Sequence, residues 1–385
     1  MNILFLDKEG GFGGSSRSLY FLVKNLNRSI NPFVLLREKG PMLEEYRALG
    51  VTTFLREGMP IYKPSPRNNL FVLFLFFLKV GSLVRSYRFL SRILTQYPID
   101  ILHMNHDGFF VYGFLKRTKR IKIVVHLRTM LPLNTFARFQ VKCIQQMADH
   151  LVFISENELL RFSQLSGRMP PNSSVIFNAA EPLRRSSCQS KVSDLPEDMT
   201  KVLYLGNLTY TKGADRLLEI ARELERRRVR NVLFVVCGED RQRKGTREGI
   251  KLVSMADKEG LKDRFLFMGH QAYPDPFLRQ ADILLRLSRC DDPWGRDIIE
   301  AMVYGKPAIA TGTYEGFIVP GVTGYLINPY SAEEAADKII ELASNPERRL
   351  GMGRAGFERA RELFDVRRHS MSVMNVYERI LAGDS

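Results

Sequence analysis

Asp292-Pro293-Trp294-Gly295-Arg296-Asp297-Ile298-Ile299-Glu300-Ala301-Met302, followed by Gly305-Lys306-Pro307 and Ala308-Ile309-Ala310-Thr311, governs how the rest of the chain reads. An acid stands eight positions before Glu300, and a Pro-aromatic-Gly turn follows it directly. The apolar run Ile298–Met302 predicts a helix entering a core, and Gly305-Lys306-Pro307 ends it. Ala308–Ala310 then predicts a short buried strand. A loop rich in backbone N–H groups therefore feeds a helix N-terminus, where anions and sugar hydroxyls can be held. A carboxylate on the first turns of such a helix can accept two hydrogen bonds from a ribose. Helix, break and strand alone fit any α/β domain; the two acids and the Gly at this spacing go further.

Working outward, the same alternation recurs. Ile3–Leu6 reads as a strand, Gly10-Gly11-Phe12-Gly13-Gly14-Ser15-Ser16 as a glycine-rich turn, and Ser18–Leu26 as a helix. Val34–Leu36 and Thr53–Leu55 read as strands around a helix near Leu43–Leu49. A long helical pattern covers about Asn69–Thr95. Ile101–His103, Ile123–His126 and Leu151–Ile154 are strand-like runs, each followed by helical sequence. Residues 181–200 turn polar and aperiodic, as a linker would. A second series follows: strands at Val202–Leu205, Val232–Val236, Phe265–Phe267, Ile283–Leu287, Ala308–Ala310 and Tyr325–Ile327. Helices are expected at Ala214–Arg226, Thr246–Lys258, Asp275–Arg279, Ile298–Tyr304 and Ala332–Ser344. A last amphipathic helix covers about Arg367–Ala382. Alternating β and α implies doubly wound parallel sheets. The domains expected are 1–180, a linker 181–200, 201–365, and a C-terminal helix 366–385 that can pack back on the first domain.

The 385 residues suffice for two cores. No segment reaches the ~18 apolar residues of a membrane-spanning helix. The first residues lack a basic n-region and read as a strand rather than a signal peptide. Four scattered cysteines (Cys143, Cys188, Cys237, Cys290) suggest neither zinc nor disulfides, so a cytoplasmic protein with reduced thiols is expected. The net charge of +15 is lopsided: residues 1–190 carry 26 Lys and Arg against 12 Asp and Glu, and residues 191–385 carry 31 against 30. The first half should be drawn to an anionic partner such as a membrane surface, a phosphorylated acceptor or nucleic acid. A merely solvated basic face is the plainer alternative. Nucleic acid lacks a recognised motif here and is not expected.

The acid-x7-acid block resembles the signature of retaining glycosyltransferases of the GT4 type, glycosyl transferases group 1, whose usual pattern is Glu-Gly/Pro-Phe-Gly-x4-Glu-Ala-Met. Asp292 replaces the first Glu, and Trp294 replaces the Phe. The resemblance implies the GT-B fold: α/β, two Rossmann-like doubly wound domains facing across a cleft. It implies a nucleotide-diphospho-sugar donor held mainly by the second domain, an acceptor held by the first, and no catalytic metal. Glu300 would accept the ribose hydroxyls. Asp292, with the backbone of Pro293, Trp294 and Gly295, would hold the donor sugar. Gly206-Asn207-Leu208-Thr209-Tyr210-Thr211-Lys212-Gly213 resembles the family's Gly-Arg-Leu-x3-Lys-Gly loop, whose cations neutralise the departing diphosphate. Lys212 is in place; the Arg position is Asn207, and Arg296 or Arg289 can substitute. Gly13 and Gly14 fall at the family's Gly-Gly turn after the first strand, and Asn178 where the family has Asn-Gly-Val-Asp.

His126 ends a strand, where related enzymes have a His that reaches donor sugar or acceptor; a structural role fits a lone strand-end His equally well. His103, Asn105 and His106 follow a neighbouring strand at the same edge. Metal ligation by these three histidines would need carboxylate or thiol company and a second shell, and the resemblance implies no catalytic metal. Segment 67–95 combines an unbroken apolar block with Arg85, Arg88 and Arg92 and no acid. It reads as an interfacial helix on an anionic membrane, or as a buried crossover helix with snorkelling cations. The expected acceptor is then a lipid-linked or cell-surface glycan, met by a peripheral protein at the inner face of the cell membrane. Two further readings stay open: a non-catalytic nucleotide-sugar-binding or scaffold relative, kept alive by Asn207 and Asp292, and a sugar-nucleotide epimerase of the same fold.

Overall fold

A computed structural model describes residues 1–64, 78–182, 195–239, 249–290 and 294–383. The chain divides into two compact units: Met1–Ala179 with Val366–Ser385, and Ala180–Asp365. The C-terminal helix, Val366–Ala382, therefore belongs to the first unit.

The first unit holds seven parallel strands: β1 (Asn2–Asp7), β2 (Asn31–Leu36), β3 (Thr52–Leu55), β4 (Ile101–Met104), β5 (Lys122–Leu127), β6 (His150–Phe153) and β7 (Ser173–Val175). Their order is β3-β2-β1-β4-β5-β6-β7. Strand alternation sorts the side chains into two cores. Leu4, Leu6, Leu102, Ile123 and Val125 face one layer, which includes the Val80–Gln96 helix, the Asp107–Arg117 3-10 helix and the helices Thr135–Met147 and Glu156–Ser166. Ile3, Phe5, Ile101, Val124 and Val152 face the other, where Val373, Val376 and Tyr377 of the C-terminal helix complete the core. Both faces are covered, as a parallel sheet requires.

The second unit repeats the scheme. Strands β8 (Thr200–Leu205), β9 (Val232–Cys237), β10 (Phe265–Phe267), β11 (Ile283–Arg286), β12 (Ala308–Thr311) and β13 (Gly324–Ile327) run parallel in the order β10-β9-β8-β11-β12-β13. In each unit the order reverses beside the first strand. The crevice beyond the carboxyl ends of β8 and β11 is therefore the second unit's natural ligand position, as that beyond β1 and β4 is in the first.

Several expectations shift. The first helix begins at Gly14 and runs to Lys24, directly from the glycine turn. Helical sequence was expected after Ile101–His103; the segment is the 3-10 helix Asp107–Arg117. β7 and the helix Pro346–Leu363 were not anticipated. That helix buries Met352, Gly353, Gly356 and Ala360, so close approach of small residues replaces the apolar stripe that periodicity detects. A Cβ at Gly353 would lie 2.0 Å from the Gly305 carbonyl oxygen. The polar linker gives way to β8 at Thr200. The apolar start of segment 67–95, up to residue 77, lies outside the described residues, as do Asp292 and Pro293.

Candidate donor site in the second unit

Three loops converge at the carboxyl ends of β8, β11 and β12. The first, following β8, is tied down by its backbone. Gly206 N–H donates to Cys237 O (3.1 Å) and Leu208 N–H to Glu239 O (3.0 Å). The buried Tyr204 hydroxyl lies 3.2 Å from the carbonyl oxygens of both Asn207 and Lys212 and shares its single proton between them. Gly213 has φ +68°, and a Cβ there would stand 2.0 Å from Leu287 O; only glycine fits both demands. The loop is thereby latched to the end of β11, where Arg289 N–H donates to Thr211 O at 2.9 Å. Lys212 is half-buried in this loop, and Asn207 is exposed.

Helix Arg296–Val303 begins at Gly295, whose extended φ −65°, ψ 158° turns the chain into its first turn. Glu300 is buried, and its Oε1 lies 2.7 Å from Arg296 Nε, one helical turn earlier. Below that turn Arg286, the last residue of β11, places Nη1 2.6 Å from Asp297 Oδ1. A Cβ on residue 295 would fall 2.2 Å from the same guanidinium nitrogen, so the glycine makes room for a buried cation. Trp294 is buried with its ring edge-on to Tyr314, 5.2 Å between centroids; Tyr314, Phe317 and Phe364 continue the aromatic wall.

Gly206, Asn207, Lys212, Trp294, Gly295, Arg296 and Glu300 thus all lie on the loops and helix at this edge of the second sheet. Arg289 is committed elsewhere: its guanidinium grips both carboxylate oxygens of Asp215 (2.7 and 2.6 Å) and stacks over Tyr210 at 3.6 Å. It braces the Lys212 loop. Sequence reading passed over Arg286. Its only signal is a cation closing an otherwise apolar strand, Ile-Leu-Leu-Arg.

In the first unit, Gly13 caps the Gly14–Lys24 helix, and a Cβ there would stand 1.8 Å from a Glu9 carboxylate oxygen. Asp7, at the end of β1, is fully buried and accepts from Ser16 Oγ (2.9 Å), Asn105 Nδ2 (3.3 Å) and Lys8 N (2.8 Å). Burial pushes its carboxyl up to about 6, with Ser16 and Asn105 pulling the other way. Arg128 extends the network, donating from Nε to Asn105 Oδ1 (2.8 Å) and from Nη1 to Asn178 Oδ1. Asp7 was not a sequence candidate; an acid closing an apolar first strand was the available hint.

His126 exposes no surface. Its Nδ1 lies 3.2 Å from Arg128 Nη2, and its ring packs 5.6 Å from His103 and 6.5 Å from His369. Burial, then Arg128 and the neighbouring histidines, holds it well below the ordinary imidazole range. The same network joins His103 Nδ1 to Tyr377 OH (2.6 Å) and His369 Nδ1 to Phe177 O (2.8 Å). This buried cluster ties the C-terminal helix to the first sheet, which favours a structural role for His126. Among the described residues no group of three His, Cys, Asp or Glu is placed to hold a metal ion.

Known proteins resemble both halves. Residues 12–182 match Glycosyltransferase Family 4, and residues 187–359 match Glycosyl transferases group 1. An α-D-kanosaminyltransferase of Streptomyces kanamyceticus is 28% identical over 188 residues, 46% of each chain. A 2-deoxystreptamine N-acetyl-D-glucosaminyltransferase of Niallia circulans is 24% identical over 255 residues, 62% of this chain and 63% of its own. These matches span about half to three fifths of the relatives' lengths. The crystal structure of HepE from Anabaena with UDP and glucose superposes with a TM-score of 0.79 at 21% identity, covering 98% of this chain and 99% of that one; likeness at that identity speaks to fold. With the Glu300 helix, the Lys212 loop and two sheets of one topology, these matches make the chain a member of the GT4-type glycosyltransferases, with their GT-B fold of two Rossmann-like domains.

Proposed function

We propose that the chain moves a sugar from a nucleotide-diphospho-sugar, with retention at the anomeric carbon and without a catalytic metal, to a lipid-linked or cell-surface glycan. The observation that carries this is Glu300: a buried carboxylate on the first turns of a helix, beside the Lys212 loop at the strand-order reversal of the second sheet. Glu300 accepts the ribose hydroxyls, and Asp292 with the Pro293–Gly295 backbone holds the sugar. Lys212 and the loop N–H groups offset the charge of the departing diphosphate. Arg296 supplies the cation that Asn207 lacks, since it already lies against Glu300 whereas Arg289 is taken by Asp215. No protein nucleophile is required if the leaving phosphate takes the acceptor proton. The sugar-transferring relatives, and UDP with glucose on HepE, support uridine nucleotides as the first ligands to try. The basic first half supports work as a peripheral protein on the inner face of the cell membrane.

Calorimetric titration of UDP, GDP and ADP into wild type and Glu300→Ala tests this. One nucleotide is expected to bind at micromolar strength, and the substitution to weaken it by about 1–3 kcal/mol through a lost charged acceptor. If none binds, or Glu300→Ala binds as well as wild type, the donor site is misassigned. Asn207, an exposed neutral amide where the family has Arg, favours one rival, a nucleotide-sugar-binding scaffold. Glu300-dependent release of nucleoside diphosphate on adding acceptor extract separates the two.

A further inference from the structure

The excess positive charge is concentrated in one stretch. Residues 58–148 hold 14 Lys and Arg against two acids, Asp100 and Asp107. Among the described residues this stretch supplies three of the four helical elements on one face of the first sheet, the helix Val80–Gln96, the 3-10 helix Asp107–Arg117 and the helix Thr135–Met147; the fourth, Glu156–Ser166, adds the exposed acid Glu156 at its start. The 3-10 helix Asp107–Arg117 sits between the other two of these three: Gln140 Nε2 donates to Asp107 O (3.0 Å), and just past its end Tyr87 OH and Thr118 Oγ1 lie 3.3 Å apart. Outward-facing cations lie on all three elements, Arg85 and Arg88 on the first, Arg117 at the end of the second, and Arg138 and Lys142 on the third.

The same layer exposes large apolar side chains. Leu133 is 62% exposed and Phe139 57%. Phe139 leads inward through ring contacts with Phe136 (6.4 Å) and Phe110 (6.3 Å), so it stands rigidly on the core rather than trailing from a loop. Phe114 is exposed on the neighbouring 3-10 helix, with the Arg117 guanidinium 5.4 Å from its ring. Val84 is exposed beside Arg85.

We propose that this layer is a membrane-docking face: Leu133, Phe139 and Phe114 enter the interfacial region of a bilayer, and the surrounding cations meet anionic headgroups. It rests on the peripheral-membrane reading above and places the contact here rather than on the apolar block of segment 67–95 alone. Charge complementarity selects an anionic surface, and the aromatic and leucine anchors select a bilayer over a soluble polyanion. A polyphosphate chain is satisfied by the cations and leaves Leu133 and Phe139 in water, whereas a bilayer rewards both.

The test is sedimentation of the full chain with phosphatidylcholine vesicles with and without phosphatidylglycerol. The variants are L133S/F139S and R85Q/R88Q, with single-stranded DNA as a second probe and nucleotide titration run in parallel. The expected result is salt-sensitive binding to the phosphatidylglycerol vesicles, weakened about tenfold in each double variant. Nucleotide affinity stays unchanged, because the second unit is untouched. Wild type that ignores the anionic vesicles, or L133S/F139S that binds them like wild type, overturns the proposal. So does DNA binding as tight as vesicle binding and indifferent to L133S/F139S. If the donor reading fails instead, the nucleotide titrations show it while vesicle binding stands.

Discussion

Arg286→Leu probes how the Glu300 helix is held. Arg286 Nη1 and Asp297 Oδ1 are 2.6 Å apart, with side chains 9% and 11% exposed. With charge centres ~4 Å apart and an effective dielectric of ~20, their attraction is about 4 kcal/mol, largely cancelled by the desolvation of two ions. The pair as a whole therefore stabilises little, but either half alone is a buried charge without its partner, which costs about 3–5 kcal/mol. Arg286→Leu and Asp297→Val should each lower the stability of the second unit by about 3 kcal/mol. The combined variant should recover to within about 1 kcal/mol of wild type, since two apolar side chains then fill the space. Urea unfolding followed by Trp294 fluorescence measures this directly: Trp294 is the single tryptophan, buried in the same unit. A single variant within about 0.5 kcal/mol of wild type, or a combined variant as weak as the sum of its parts, would refute the reasoning.

Two further outcomes follow from the geometry. Gly213→Ala should cut nucleotide affinity at least about tenfold and destabilise the second unit by more than about 1 kcal/mol, because φ +68° and the Leu287 carbonyl both oppose a side chain; unchanged titration by the binding nucleotide would show that the latch does not matter. Burial holds His103 at about 3, and His106 and His150 at about 4. The folded first unit thus binds fewer protons there than the unfolded chain, so this contribution is whole above pH ~6.5 and falls on acidification. Asp7, raised to about 6, has the opposite sign, with folding binding more protons between its ordinary value and 6. His126, held low in the same way, adds to these, so four histidines against one acid make the first unit lose stability steeply as pH falls from 6 to 4. Helical circular dichroism should therefore drop in mild acid before Trp294 fluorescence changes, and the reverse order would contradict the assignment.

Elements whose stability comes from a regular apolar period were legible in the sequence: β1, β9, β10 and the helix Ala332–Ser344 fall close to their expected positions. The helix Pro346–Leu363 was not, because its packing depends on Gly353 meeting the Gly305 backbone, and small residues leave no period. The Lys212 loop and the start of the Glu300 helix were legible for a related reason. Gly213 and Gly295 answer backbone and steric demands that few residues meet, so their spacing survives as a motif.

The sequence by itself determined two α/β halves, the glycine turn, the Lys212 loop and Glu300 on its helix, because local periodicity and turn chemistry specify each within a short window. The tertiary structure alone decided which charges face one another. Arg289 was a candidate for the missing cation until folding placed it on Asp215. Arg286 gained meaning only when the end of β11 came under Gly295. His126 became one ring of a buried histidine cluster only when the C-terminal helix brought His369 and Tyr377 to the first sheet. Such pairings join residues far apart in sequence, and burial rather than spacing sets their energies.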